Sequence, residues 1–194
     1  MSLWTDLLDE VYTLTNRPEL VAETAIALRK AVRTAHASAR FWRDLVEVPV
    51  TGLAVQQVQE ISLDLYAPRF RQTAYIKSNS YTDLYFSPVT IDDLLDADGY
   101  GRVNAYWGFG NTLRLRAANV EDNYLLGYYQ FPIVSPADSF TSWIVNEHRD
   151  YIVVSAALVV LGSIGEGEIK ATMQQLAAGL RAELIQANLE VNAR

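Results

Sequence analysis

Residues 151–161 read YIVVSAALVVL. From Ile152 to Leu161 apolar side chains fall on almost every side of a helical wheel, so such a helix has no face suited to water and must be covered on most sides. The run is also well short of the ~20 residues needed to span a bilayer. It therefore predicts the central helix of a core. Upstream, Ser139 or Ser142 is placed to cap a turn leading into a long helix from Val145 to Gly162. Downstream, the GSIGEGE stretch supplies Gly162, Gly165 and Gly167 for a sharp reversal. Ile169, Met173, Leu176, Leu180, Leu184, Ala187 and Val191 then step at intervals of three and four, the spacing of a long helix with a narrow apolar seam.

The other end of the chain has a matching pair. Leu7, Leu8, Val11 and Leu14 recur at helical spacing after Leu3. Thr15 and Asn16 interrupt them, and Asn16 with Glu19 has capping-box spacing, with Pro18 tolerated in a first turn. A second helix is expected there, with Val21, Thr24, Ala25, Leu28, Val32 and Ala35 as its buried stripe and an end near His36 and Ser38.

Between the pairs the texture changes. Of the 21 aromatic residues, 16 lie between Phe41 and Phe131. Aromatic and β-branched runs at Phe41 to Val50, Ile61 to Tyr66, Phe70 to Lys77, Val103 to Phe109, Thr112 to Arg116 and Tyr124 to Phe131 read as strands. Turn signals separate them at Thr51-Gly52, Ala67-Pro68, Asp98 to Gly101 and Gly108 to Asn111. Thr90 to Ala97 reads as a short capped helix. The expected class is α+β: an antiparallel helical bundle built from the N- and C-terminal helix pairs (1–40 and 139–192), carrying a β-rich insertion (41–138) within a single domain spanning 1–194.

Composition narrows the function classes. The net charge of −7 and a pI near 4.8 argue against a surface that neutralises phosphates. A chain without cysteine has no disulfide and no thiolate metal site. Trp4, Asp6 and Asp9 open the chain on a helical pattern rather than a basic stretch, so no secretory signal is expected.

Signals for chemistry are sparse. His36 and His148 are the only histidines and fall on different predicted helices, without a metalloprotease, nucleophile-elbow or phosphate-loop pattern. In Glu147, His148, Arg149 and Asp150 successive side chains diverge by about a hundred degrees, which favours local ion pairs over one converged site. The acidic pairs Asp92/Asp93, Asp96/Asp98 and Glu121/Asp122 read as solvated turns, and DADGYG lacks the glutamate and following helix of a calcium loop. No catalytic residue, metal or cofactor is assigned. The aromatic surplus suits cross-strand packing first and subunit interfaces second. Stacking on single-stranded nucleic acid ranks third, with only Arg69, Arg71, Lys77, Arg114 and Arg116 to line a groove. The candidate interface residues are Phe41, Trp42, Tyr106, Trp107, Phe109, Tyr128 and Tyr129 in the middle and Leu184, Leu189 and Val191 on the last helix.

The wording EVYTLTNRPELVAETAIALRKAVRTAH, followed by Phe41, Arg43, Asp44 and Leu45, and SWIVNEHRDYIVVSAALVVLGSIG near the other end, resembles the adaptor, or head-completion, proteins of tailed bacteriophages. The resemblance implies a noncatalytic virion protein, made in the bacterial cytoplasm and assembled at the head–tail junction. There it would form a homo-oligomeric ring, dodecameric in that family, between the portal protein and the tail tube or nozzle protein, helping to retain the genome. DNA would pass without specific binding and no membrane would be involved. The alternatives are a small virion-associated cell-wall hydrolase using acidic residues of the insertion, and a nucleic-acid-binding accessory factor.

Overall fold

The structure, a computed structural model of the chain, describes residues 2–55, 58–78, 84–90, 104–116, 123–134, 140–165 and 167–192. The chain divides into two compact units, Met1–Asp44 with Phe131–Arg194, and Leu45–Gln130.

In the first unit, α1 (Leu3–Thr15) begins at Ser2, whose hydroxyl accepts the Thr5 amide, and ends at Asn16 in the left-handed conformation. Trp4, Leu7, Val11 and Thr15 form its buried stripe, while Leu14 is exposed. α2 (Val21–Ala37) starts at Leu20 without a side-chain cap. The capping box expected at Asn16 is thus a helix end instead, because asparagine suits a left-handed terminator as well as an N-cap. Its buried face is Thr24, Ala27, Leu28, Ala31, Val32, Ala35 and His36. The long helix expected from Val145 is two helices, α4 (Trp143–Glu147) and α5 (Arg149–Ile164), separated at His148, whose backbone leaves the helical region (φ −131°, ψ 47°). An anchorage lies on each side of the break. Ser142 behind it is bonded to His36, and Arg149 ahead of it is bidentate to Glu10 of α1 (2.6 and 2.9 Å). Gly165, at φ 82°, terminates α5 and allows the turn into α6 (Gly167–Asn192).

α5 occupies the central place its all-round apolar sequence demands, with α1, α2, α4 and α6 against it. Its Tyr151, Ile152, Val153, Ala156, Ala157 and Val160 join Leu7, Val11, Leu28, Val32, Phe41, Ile144 and Leu184 in one core, and Trp4 meets Phe140 edge to face at 5.4 Å.

The second unit is a curled mixed sheet. Its strands are β1 (Leu45–Thr51), β2 (Leu53–Val55), β3 (Val58–Ser62), β4 (Phe70–Ser78), β5 (Tyr85–Pro88), β6 (Ala105–Phe109), β7 (Thr112–Arg116) and β8 (Asn123–Gln130). The one-turn helix α3 (Leu63–Tyr66) follows β3. The order is β1-β8-β4-β5-β6-β7-β3-β2. β5 is the joint: Tyr85 and Phe86 pair antiparallel with β4, and then Ser87 and Pro88 pair parallel with β6. Two register shifts on β4, between Phe70 and Gln72 and between Thr73 and Tyr75, add local bending. Gly110, at φ 58°, makes the tight β6–β7 turn, and Asn111 beside it donates to Asp64 of α3 at 2.9 and 3.0 Å. Val50, Ile61, Ile76, Phe86, Leu113, Leu115, Tyr124, Leu126 and Tyr128 fill the sheet's own core.

The Tyr75 ring lies flat over Gly127 of β8, so that a Cβ at Gly127 would fall 2.5 Å from its Cζ. Gly127→Val therefore forces the ring out of a central strand pair, an overpacking that destabilises by about 1–3 kcal/mol. Urea unfolding should show a lower midpoint at unchanged slope, and a midpoint equal to the parent's would mean the ring gives way without cost.

The expected antiparallel bundle of two terminal helix pairs bearing a β-rich insertion is corrected by this arrangement, and the mixed class fits only in part. The helices are arranged around α5 as a hub, and α6 lies chiefly against α5 rather than closing a four-helix ring. The reason is in its seam. Among the described side chains of the seam Leu184 alone is fully buried, Met173 and Leu180 are partly buried, and Leu176 is 52% exposed, so α6 offers one partner's width of apolar surface. The middle of the chain is a sheet with a core of its own. Within it, Phe41 belongs to the helical core, Trp42–Asp44 forms a 3₁₀ turn ahead of β1, and the strand expected to reach Tyr66 stops at Ser62. The helix expected over Thr90 to Ala97 and the turn at Asp98 to Gly101 lie outside the described residues.

Candidate functional site

The densest polar arrangement in the helical unit is built on His36. Placed in the last turn of α2, its ring has both nitrogens engaged: Nδ1 lies 2.9 Å from both carboxylate oxygens of Asp44, and Nε2 lies 2.9 Å from Ser142 Oγ. Trp143 Nε1 donates to Asp44 Oδ1 at 2.9 Å, and the Val145 amide donates to Ser142 Oγ. One proton assignment satisfies every group. Ser142 accepts from Val145 and gives its hydroxyl proton to Nε2, leaving Nδ1–H to donate to an Asp44 carboxylate that also receives the indole. Trp143 is held edge-on by His36, Phe41 and His148 at ring distances of 5.2 to 6.3 Å.

Aspartate, histidine and serine in this chain match the connectivity of a hydrolase triad. Burial decides against that use. His36 is 1% exposed and Asp44 and Ser142 4%, so no acyl group reaches Oγ, and the hydroxyl caps α4. A fluorophosphonate probe should leave Ser142 unlabelled in the native protein; stoichiometric labelling lost in Ser142→Ala would reverse this assignment.

The Glu147–Asp150 group diverges. Glu147 pairs with Arg43, Arg149 turns to Glu10, His148 packs its ring on Trp143, and Asp150 is exposed. With Asn146, Tyr151, Leu180 and Glu183 these residues line a hollow of about 220 Å³. Among the described residues no group of three His, Cys, Asp or Glu is placed to hold a metal ion. The paired carboxylates from Asp92 to Asp98 and at Glu121 and Asp122 lie outside the described residues, as do Ser139 and Val103.

The candidate interface residues separate by burial. Phe41, Tyr106, Tyr128 and Leu184 are core residues, and burial pushes the Tyr128 phenol up, offset in part by Arg69. Trp107 and Tyr129 are half-buried, the latter under Arg71 at 5.1 Å. Trp42, Phe109 and Leu189 are exposed, whereas the Val191 side chain is outside the described residues. Phe109 carries the Arg114 guanidinium at 3.9 Å, and that guanidinium also pairs with Glu60. Lys77 pairs with Glu47, and Arg69 donates to Gln130. Four of the five cations proposed for a nucleic-acid groove are thus engaged within the sheet.

Sequence reading missed the partnership of His36. Asp44 is eight residues away across the end of α2, and Ser142 is 106 residues away and signalled itself only as a helix cap. No helix among the described residues is long and apolar enough to cross a membrane. No protein-family model matches the chain, and no curated protein matches it.

Proposed function

We propose that this chain is a noncatalytic assembly protein of a tailed-phage virion, a subunit of a ring that joins the portal to the tail and helps retain the packaged genome. The observation that carries the reading is α6. It is a helix of 26 residues docked through one narrow stripe, with Leu176 and Leu189 standing 52% and 61% exposed along the remainder. From Ala171 to Leu180 it carries no charged residue, although solvated helix faces ordinarily do. Such a face suits another protein. The acidic balance of the chain suits a conduit through which DNA passes without being gripped. The resemblance of the two terminal stretches to phage adaptors supplies the partner class, and the engaged, buried state of His36, Asp44 and Ser142 supports a structural role over a hydrolytic one.

The experiment is electron microscopy of the purified protein mixed with the portal protein encoded in the same genome. A closed ring stacked coaxially on the portal is the expected result and gives copy number and orientation. Folded protein that fails to associate at any salt concentration would remove the adaptor reading.

A further inference from the structure

The helical unit carries two exposed surfaces of complementary character on different elements. The first is the outer stripe of α2, directly opposite its buried face. Ile26 is 61% exposed there, and Lys30 and Arg33 follow at the next two turns of the same side. Neither cation has an ion-pair partner among the described residues, and Glu23 is the one acid on that stripe. The second is a groove of about 390 Å³ between α1 and α5, lined by Asp9, Glu10, Thr13, Leu14, Asp150 and Val153. Leu14 and Val153 give it an apolar floor. Glu10 is taken by Arg149, and Asp9 and Asp150 line the groove as exposed carboxylates with no ion-pair partner among the described residues.

Resting on the ring reading above, we propose that copies of this chain join head to tail, with the α2 stripe of one seated in the α1–α5 groove of the next. Ile26 meets the Leu14–Val153 floor while Lys30 and Arg33 meet Asp9 and Asp150. At ~1.5 Å rise and about 100° per residue, Lys30 and Arg33 stand roughly 6 and 10 Å along the helix from Ile26 and within about 40° of its direction, so all three side chains face one partner. Because the two surfaces differ, the contact is heterologous. Repetition about an axis then closes a ring, and each subunit uses both surfaces once. Opposite charges around a small apolar centre set the register of such a contact and suppress like-with-like pairing of two α2 stripes.

The absence of cysteine makes the test clean. Leu14→Cys and Ile26→Cys are made as separate variants and as one double variant, then oxidised as free protein and after addition of the portal protein. The mixed single variants should give a cross-linked dimer, each alone little, and the double variant a ladder of multimers. Asp9→Lys with Asp150→Lys should lower the mixed-dimer yield at least tenfold, and pairing that chain with one carrying Lys30→Glu and Arg33→Glu should restore it. No mixed dimer under either condition overturns the contact. A ring seen on the portal without the cross-link removes the contact and leaves the ring reading. The cross-link without portal association keeps the contact and removes the portal.

Discussion

Replacing His36 by alanine should lower the free energy of unfolding by about 3 kcal/mol, the upper end of the cost of leaving buried polar groups without their hydrogen-bond partner, since one of the groups left behind is a carboxylate. The ring is 1% exposed and connects the end of α2 to Asp44 and to the cap of α4. Its loss removes the Nδ1 donor from the buried Asp44 carboxylate and strips Ser142 of the acceptor for its hydroxyl. Asp44→Asn should cost less, since a neutral amide needs less solvation. In the double variant the two effects should fall well short of adding, because both remove the same network. Urea unfolding followed by tryptophan fluorescence measures all three, and Trp143 reports the network directly. A His36→Ala loss below about 1 kcal/mol would mean that water enters and replaces the ring, and the cluster would then be a polar filling rather than a clasp.

The second large effect concerns α6. Leu184→Asp puts a charge at the position of α6 that is fully buried in the helical core, the one such position among the described side chains of this helix. The helix should undock without unfolding the rest, since Met173 and Leu180 are only partly buried and most of the core's buried side chains come from α1, α2, α4 and α5. Limited trypsin digestion reads this as cleavage after Lys170 and Arg181 at least ten times faster than in the parent, the factor equivalent to ~1.4 kcal/mol of lost docking. Portal association should disappear with it. Leu176→Asp is the informative contrast. This residue is half exposed, so stability should stay within about 0.5 kcal/mol while portal association weakens. If Leu176→Asp binds the portal as the parent does, the open face of α6 is not the docking surface.

Much of the secondary structure was legible, and for identifiable reasons. The run YIVVSAALVVL has no polar side and lies at the hub as α5, and β4, β7 and β8 fall within a residue or so of their aromatic and β-branched runs. The architecture was not legible to the same degree. Periodicity reports which face of α6 is apolar, but not that Leu176 turns away from α5 while Leu184 is fully covered. Nor does it reveal a four-residue strand such as β5, whose Tyr-Phe-Ser-Pro carries no alternation to recognise. Asn16, whose spacing to Glu19 predicts a cap for the helix that follows, terminates the one before, since one side chain serves both roles. For the site, histidine, aspartate and serine were each visible. Their convergence was not, because it depends on where α2 ends relative to α4, which no local spacing encodes.

The sharing of β5 bears on how the sheet opens. Two residue pairs tie it to β4 and two to β6, whereas β8 is paired along its length on both sides. Amide protons of β1, β4 and β8 and those of β3, β6 and β7 therefore belong to separate cooperative blocks, exchanging with solvent through distinct openings, with the amides of β5 the first to exchange in either case.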